Sequence, residues 1–360
     1  MTFERNKPFN NLPYLPPEGD VESIEVLKAA ITANRVLAEL KGKSENLPNP
    51  AILLNAIILQ EAKASSEIEN IVTTNDKLFT ALTADDAKAD PHTKEVLRYR
   101  EALRQGVEKL NEQPLSTTLF IDLMRIIKQT GAGLRNTDGT VIANPYTKKI
   151  IYWPPEGEDK IRDLLKNLEE YIQNAHDADP LVKMAIIHYQ FEAIHPFDDG
   201  NGRTGRIINI LYLIMTKLLH QPVLYLSDYI IGNKSEYYRL LRGVTEKGEW
   251  ESWILFMLNA VRDTSRQTMQ RINDIRSLMD ETILYAKEKL PARVYSKELI
   301  ELLFEQPYCK TGTLVDRGIA KRQTAAEYLR ELEKIDILKS KQSGRENLYL
   351  NVRLFELLSG

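Results

Sequence analysis

Residues His195 to Arg206 read H-P-F-D-D-G-N-G-R-T-G-R and combine one histidine, two adjacent carboxylates, a Gly-Asn-Gly turn and two arginines. Gly200 and Gly202 have no Cβ to obstruct an anion, so the backbone N–H groups around Asn201 can converge on phosphate oxygens. The turn runs into the apolar segment Ile207 to Leu219. These amides are therefore expected at a helix N-terminus, where the helix dipole favours negative charge. The stretch predicts a phosphate-binding loop between helices.

The charged side chains of this loop indicate what it does with a phosphate. Arg203 and Arg206 are three residues apart, so they share one side of the first helical turn and can hold a polyphosphate through paired N–H donors. Asp199 offers the hard oxygen ligand that Mg²⁺ prefers, and His195 can take a proton near neutral pH. Alone, a histidine before proline is often a helix cap, and an Asp-Asp-Gly-Asn-Gly run is often a bare turn. Their combination favours a phosphate site with a base beside it.

The loop resembles the signature of the Fic (filamentation induced by cAMP) family, H-P-F-x-[D/E]-G-N-G-R-x-x-R, and meets every fixed position. The resemblance implies a mainly α protein, with an all-helical Fic core and a small β-hairpin flap. It also implies nucleotidyl transfer, usually of AMP from ATP to a protein hydroxyl. Some relatives transfer other groups, usually with altered residues in this stretch, so the unaltered stretch favours AMP.

The same resemblance implies roles for individual residues. His195 would be the base that deprotonates a Ser, Thr or Tyr hydroxyl of a target protein, and Phe197 would anchor the loop in the core. Asp199 would hold Mg²⁺ against the α- and β-phosphates. The ATP-binding residues of the loop would be Gly200, Asn201 and Gly202 in the anion hole, Arg203 and Arg206 on the β- and γ-phosphates, and the intervening Thr204 and Gly205.

A second motif, S-S-E-I-E-N at Ser65 to Asn70, lies inside a long helical pattern. Ser65 and Glu69 are four residues apart and therefore share a helix face. The motif resembles the family's inhibitory motif, [S/T]-x-x-x-E-[G/N]. The resemblance implies that Glu69 reaches Arg206 and takes the place of the γ-phosphate. Without the loop motif, six such residues would more often be a solvated helix face.

A hairpin is expected within Gly133 to Glu156. Thr140 to Ala143 and Lys149 to Trp153 are rich in β-branched and aromatic residues and flank an Asn-Pro turn region. The family resemblance makes this hairpin the flap that holds a target segment by strand addition. An ordinary surface hairpin is the alternative.

Two adjacent tyrosines, Tyr237 and Tyr238, resemble the family position that packs on adenine, and Tyr238 is the better candidate of the two. Aromatic residues in a helix are more often core. Thr245 stands where some relatives have an asparagine, which leaves the hydrogen bonding to the base open. His188 has apolar neighbours and is interpreted as packing rather than as a ligand.

The composition describes a chain of 360 residues, 43% hydrophobic and 28% charged, with a net charge of −3. Such a chain ordinarily divides into two or three domains, and its net charge gives no overall attraction to nucleic acid or to an anionic membrane. The single cysteine, Cys309, excludes an internal disulfide and a cysteine cluster for zinc. The expected division is 1–112, an N-terminal helical region with the inhibitory motif; 113–285, the Fic catalytic core; and 286–360, a winged-helix domain.

Helices are expected wherever apolar residues recur at three and four spacing. The main expected segments are Val21 to Leu40, with breaks at Gly42 and at Leu47 to Pro50, then Ala51 to Ser66 onward, Thr93 to Asn111, Ser116 to Gln129, Asp159 to His176 and Leu181 to Ala193. Met1 to Gly19 is rich in proline and is expected to be an extended arm. No apolar run has the length of a membrane span or a signal peptide, so the chain is expected to be cytoplasmic with no membrane partner.

The last seventy residues change to short elements that resemble a winged helix-turn-helix: Ser296 to Phe304, Thr311 to Val315, Lys321 to Lys334, and a hairpin from Ile337 to Val352. In such domains the third helix can enter a DNA major groove, and Lys321, Arg322, Gln323 and Thr324 lie at its start, while Lys339, Lys341 and Arg345 border the wing. This region has twelve Lys and Arg against ten Asp and Glu, too small an excess to indicate strong phosphate binding. Winged helices also serve as protein-contact or dimer modules.

Two hypotheses follow. The first is an autoinhibited AMP transferase that uses ATP and Mg²⁺ to modify hydroxyls of target proteins or of the protein itself, and that is expected to form a homodimer as family members of this architecture often do. The second is a transcriptional regulator that binds DNA through its winged helix and senses nucleotide through a Fic-like domain. The intact loop motif favours the first.

Overall fold

The fold is mainly α-helical, and the computed structural model describes residues 3–45, 50–83, 89–143, 147–174, 178–343 and 346–359. The helices of the N-terminal and central parts are α1 (Ile24–Glu45), α2 (Pro50–Ile68), α3 (Asn75–Thr83), α4 (Pro91–Lys109), α5 (Thr117–Lys128), α6 (Glu158–Gln173), α7 (Pro180–Ile194), α8 (Asn201–Met215), α9 (Leu226–Gly232), α10 (Lys234–Lys247) and α11 (Trp250–Lys289). The C-terminal part contains α12 (Lys297–Leu302), α13 (Thr311–Asp316), α14 (Arg322–Lys334) and α15 (Val352–Ser359). The strands are β1 (Ile142–Ala143), β2 (Ile150–Tyr152), β3 (Tyr308–Cys309), β4 (Lys339–Ser343) and β5 (Glu346–Leu350).

The centre of the molecule is α7, which is apolar nearly all round and packs against α1, α6, α8 and α11. A helix that is hydrophobic on every face is stable only when it is buried. Its start is well specified, since the side chain of Asp179 accepts a hydrogen bond of 2.8 Å from the Leu181 N–H and Pro180 occupies the first turn. Its end is set by His195, which takes the left-handed conformation with φ of 50°. The chain therefore leaves the core at the first residue of the candidate loop.

The longest helix, α11, has 40 residues and packs along α1 before it reaches α12 and α15. The expected limit between core and C-terminal region, 285/286, falls inside this helix. The expected break at Gly42 is wrong, because α1 continues to Glu45. A glycine in a helix interior costs about 1 kcal/mol, and the packing of α1 on α11 offsets that cost. The break expected at Leu47 to Pro50 lies largely outside the described residues.

The expected flap is present as an antiparallel pair, with Ile142 opposite Tyr152. Its Asn-Pro turn lies outside the described residues. The base of the flap is fixed to the core, because the Tyr152 hydroxyl donates a hydrogen bond of 2.8 Å to the Ala193 carbonyl at the end of α7. The N-terminal arm packs beside it, with Leu12 and Leu15 buried and the Phe9 N–H bonded to the Trp153 carbonyl.

The C-terminal part forms a three-stranded antiparallel sheet in the order β3-β5-β4, with α12, α13 and α14 beside it. The three helices and the β4–β5 hairpin follow the segments expected from the sequence. Strand β3 and the final helix α15 were not expected. Arg345, expected at the border of the wing, lies outside the described residues.

The C-terminal part contacts the helices on both sides of Glu69 in the sequence. On α3, Asp76 accepts hydrogen bonds from the Tyr308 hydroxyl at 2.6 Å and from Lys341 Nζ at 2.9 Å. On α2, Gln60 Nε2 donates to the Leu358 carbonyl at 2.9 Å. The segment that carries Glu69 is thus attached to the C-terminal part before and after that residue.

Among the described residues, no helix combines the length and the apolar character needed to cross a bilayer.

Candidate active site

The candidate loop connects α7 to α8, which begins at Asn201, so the amides around Asn201 lie at a helix N-terminus as expected. Gly200 precedes the helix with φ of 88°, a conformation that glycine adopts without the steric cost of a Cβ. The side chain of Asn201 closes the loop, since its Oδ1 accepts from the Phe197 N–H at 2.9 Å and its Nδ2 donates to the Phe197 carbonyl at 2.7 Å. The N–H groups of residues 201–203 therefore lie in the first turn of α8, where helix amides have no intrahelical acceptor. This arrangement suits an anion.

The loop comes close to the end of α2 at Gly202, so a side chain there would displace the ends of two neighbouring side chains. A Cβ on Gly202 would overlap Glu69 Oε1 and would lie 2.9 Å from Arg206 Nη1. Further along α8, Thr204 is buried and Gly205 lies against Phe191 of α7. These two residues thus serve the packing of α8, and their expected contact with ATP stays a prediction.

The second arginine of the motif, Arg206, is 1% exposed and is bound by the end of α2. Its Nε donates to Ser65 Oγ at 2.8 Å, and its Nη2 donates to the Ser65 carbonyl and to Glu69 Oε1, both at 2.9 Å. Glu69 is the residue after the end of α2, and its side chain is 35% exposed. The structure thus brings Ser65 and Glu69 into contact with Arg206, which lies 141 and 137 residues further along the chain.

The first arginine belongs to a different charge network, with four members. Arg203 Nη1 lies 2.6 Å from Glu95 Oε1, and its Nη2 lies 3.6 Å from Asp199 Oδ1. Lys128 Nζ lies 2.6 Å from Asp199 Oδ2 and 3.2 Å from Glu95 Oε1. Burial tends to raise the pKa of Asp199, but Lys128 and Arg203 outweigh it and hold that pKa below its ordinary value. Asp199 is therefore a carboxylate at neutral pH.

The backbone around the motif histidine, His195, is held by Arg135, a buried residue near the start of the stretch Gly133 to Glu156. Arg135 Nε donates to the His195 carbonyl at 2.7 Å, its Nη2 donates to the Ile194 and Pro155 carbonyls, and its backbone N–H donates to the Pro196 carbonyl at 2.9 Å. Burial, and secondly the charge of Arg135, lowers the pKa of His195 to about 4. The imidazole is thus neutral at physiological pH, and its Nδ1 is buried with no hydrogen-bond partner among the described residues.

The two tyrosines proposed for adenine occupy different environments. Tyr237 is 1% exposed and its hydroxyl lies 2.9 Å from His188 Nε2, so its ring belongs to the core. Tyr238 is 40% exposed. Thr245 Oγ1 lies 2.9 Å from the Tyr189 hydroxyl, which places this part of α10 against α7. Of the two tyrosines, the structure brings Tyr238 to the surface. His188 is fully buried, and that burial lowers its pKa to about 3, consistent with a packing role.

One carboxyl near His195 and Arg206, that of Glu192, was not predicted from the sequence. Glu192, one turn before His195 on α7, has a buried Oε1 with no hydrogen-bond partner among the described residues. Burial raises the pKa of Glu192 to about 7, although Arg206 acts in the opposite direction.

Three further residues of the site, Lys128, Glu95 and Arg135, were not predicted from the sequence either. Only Arg135 had a local signal, its place within the expected hairpin stretch Gly133 to Glu156, since the partners of the other two lie 33 to 108 residues away.

The residues present fit a magnesium ion that is completed by substrate. Within the described parts of the chain, no group of three or more His, Cys, Asp or Glu side chains could enclose a metal. Asp199 offers an ionised oxygen at the loop. Mg²⁺ is commonly held by one or two carboxylates together with substrate phosphates, so a single carboxylate beside an anion site is an adequate donor set.

Three models of known protein families match successive parts of the chain. The Fic/DOC family N-terminal model matches residues 27–108, the Fic/DOC family model matches 114–213, and the model named protein adenylyltransferase SoFic-like, C-terminal domain, matches 278–354. The chain is 30% identical over 105 residues to protein adenylyltransferase fic-1 of Caenorhabditis elegans, covering 29% of this chain and 19% of that protein. It is 29% identical over 114 residues to a probable protein adenylyltransferase of Aquifex aeolicus, covering 32% and 31%. The chain thus spans less than a third of the length of these relatives.

Solved structures show the same fold at low identity. A Fic family protein from Desulfovibrio desulfuricans superposes with a TM-score of 0.60 at 19% identity, covering 94% of this chain and 99% of that one. Fic-1 of C. elegans superposes with a TM-score of 0.53 at 18% identity, covering 69% and 74%. With the loop, the helices and the three successive matches in agreement, the chain belongs to the Fic/DOC family and carries that family's N-terminal and Fic domains followed by a SoFic-like C-terminal domain.

Proposed function

We propose that this protein transfers AMP from ATP to a Ser, Thr or Tyr hydroxyl of target proteins or of the protein itself, and that Glu69 inhibits the transfer. The observation that carries the proposal is the loop at the start of α8, where a neutral imidazole lies beside helix amides and an arginine suited to phosphate. The relatives named as protein adenylyltransferases support it.

The proposed reaction is an in-line displacement at the α-phosphorus of ATP. His195 Nε2 accepts the proton of the target hydroxyl as its oxygen forms a bond to that phosphorus. The bond from phosphorus to the bridging oxygen breaks, and pyrophosphate leaves with the electron pair. Phosphoryl and nucleotidyl transfers need little covalent help, so positioning and charge stabilisation supply most of the rate. The amides of residues 201–203 and the two arginines would provide both.

Asp199 would hold Mg²⁺ against the phosphates, and the bound ion would neutralise charge that develops toward pyrophosphate. Tyr238 is the residue of this site that we propose packs on adenine, because it is exposed beside Arg206 and Glu69. Tyr237 would act behind it by fixing the position of α10.

Glu69 inhibits, in this proposal, by occupying the guanidinium that the γ-phosphate requires. A carboxylate bonded to guanidinium reproduces the charge and the hydrogen-bond geometry of a phosphate oxygen. The full proposal assigns inhibition to 1–112 and catalysis to 113–285, with 286–360 as an accessory domain. The wing cation Lys341 is paired with Asp76 within the same molecule, which favours a protein-contact role for that domain over DNA binding.

The test is transfer of label from α-³²P-ATP to protein by three variants. Glu69→Gly is expected to raise labelling about ten- to hundredfold, because a charged hydrogen bond is worth about 1.5–3 kcal/mol. His195→Ala in the Glu69→Gly background is expected to abolish labelling. Glu67→Gly makes the same backbone change in the last turn of α2 and leaves the Arg206 contact intact, so it controls for loosening of the helix.

Equal labelling by wild type and Glu69→Gly would refute inhibition by Glu69. Equal activation by Glu67→Gly would assign the effect to helix stability. Labelling that survives His195→Ala would refute the proposed base.

A further inference from the structure

The charge network around Asp199 contains a cation that the proposed reaction does not use. Lys128, the last residue of α5, places its ammonium 2.6 Å from Asp199 Oδ2. The carboxylate proposed to hold magnesium is thus already neutralised by the protein. An Mg²⁺ ion binds oxygen at about 2.0–2.1 Å. An ammonium at hydrogen-bond distance and a magnesium ion therefore compete for the same carboxylate.

A second carboxylate lies within reach of the same ammonium. Glu95 Oε1 is 3.2 Å from Lys128 Nζ, and its side chain is 19% exposed against 64% for Asp199. Glu95 also accepts from Arg203 at 2.6 Å, so it is fixed on α4 between two cations. Lys128 can leave Asp199 and remain ion-paired, because its alternative partner is in place before any metal arrives.

The stem of Lys128 is held independently of its charge. A Cβ on Gly200 would lie 3.3 Å from Lys128 Cγ and 3.6 Å from Cδ, so the stem packs against the loop at the residue that precedes α8. The base of the side chain stays fixed, and only the terminal ammonium has to move between Asp199 and Glu95. The loop, Lys128 and Glu95 therefore act as one unit that joins α4, α5 and α8.

We infer that Lys128 is the counter-ion of Asp199 when no metal is bound, and that its ammonium moves to Glu95 when magnesium binds Asp199. This exchange sets the magnesium concentration that nucleotide binding requires. This inference rests on the proposed function. Lys128 is a positioning residue in this role, since it acts through Asp199. With magnesium absent, its charge keeps two carboxylates from repelling the incoming phosphates.

The test is calorimetric titration of ADP into the full-length protein over a series of magnesium concentrations and in EDTA. ADP lacks the γ-phosphate that Glu69 is proposed to replace, so inhibition does not obscure the result. Lys128→Met keeps the apolar stem and removes the charge, while Lys128→Arg keeps the charge. Lys109→Met is the matched control, because it breaks a comparable lysine pair, with Asp122, between the same helices α4 and α5.

We expect Lys128→Met to lower the magnesium concentration at half-maximal ADP binding about three- to fivefold, the range for removing one partly exposed competing charge, and to weaken ADP binding in EDTA. Lys128→Arg and Lys109→Met should leave both quantities within a factor of two of wild type. An unchanged or higher magnesium midpoint in Lys128→Met, with ADP binding intact, would overturn this inference alone. If wild type fails to bind ADP at any magnesium concentration, the proposed function fails, and this inference fails with it.

Discussion

Replacing Glu192 with glutamine should stabilise the protein, and the gain should grow with pH. Burial raises the pKa of Glu192 from 4.5 to about 7. The folded state thus favours the protonated acid, so this group's favourable contribution is complete below pH 4.5 and is lost as the pH rises through 7. A shift of about 2.5 pKa units at about 1.4 kcal/mol per unit gives roughly 3.4 kcal/mol, of which about 2.5 kcal/mol develops between pH 5 and pH 8. The Glu192 side chain is partly exposed although its Oε1 is buried, and solvent screening reduces this figure to about 1–2 kcal/mol.

The assay is urea denaturation of wild type and Glu192→Gln at pH 5 and pH 8. The difference in free energy of unfolding between the two proteins should be larger at pH 8 by that amount. Glu39→Gln, on the exposed face of α1, is the control and should show the same small difference at both pH values. Equal differences for Glu192→Gln at both pH values would show that the carboxyl is not destabilised when ionised.

Two further predictions concern the base and its support. Because the pKa of His195 is lowered to about 4, the kcat/KM of the Glu69→Gly enzyme should be nearly flat from pH 5.5 to 8, and an acid limb near pH 6.5 would contradict the neutral, buried imidazole. Arg135→Met should lower kcat about a hundredfold through misplacement of His195 while the KM for ATP changes less than threefold. The pH at which kcat/KM falls on the acid side should also rise, because the substitution removes one of the two causes that lower the pKa of His195. A change in KM alone would instead indicate that Arg135 binds nucleotide.

The sequence predicts the parts of this protein that depend on neighbouring residues. The order His195, Gly200, Asn201 and Arg206 was sufficient to place a loop before a helix, and phosphate binding by that loop stays a prediction. The flap strands and the helices beside the C-terminal sheet followed from local composition in the same way.

What the sequence concealed depends on contacts across the fold. The whole of α11 was not anticipated, because the buried stripe that runs along it at three and four spacing includes polar residues such as Thr264, Thr268 and Thr282. Lys128 and Glu95 are ordinary helix-surface charges until α8 places Asp199 and Arg203 beside them. Glu192 reads as one acidic residue in an apolar helix, and only the approach of Gly205 shows that its carboxyl is enclosed.

The attachment of the C-terminal part to α2 and α3 makes the domains thermodynamically dependent on each other. Moving Glu69 away from Arg206 displaces a segment whose two flanks are tied through Gln60 and Asp76. Suppose that nucleotide binding moves Glu69 and thereby separates Lys341 from Asp76. A molecule that binds the C-terminal part more tightly after that separation then changes the affinity for nucleotide. By reciprocity, nucleotide changes the affinity for that molecule by the same factor. Under the proposed inhibition, residues 286–360 can therefore influence how tightly the loop binds ATP through their contacts with α2 and α3.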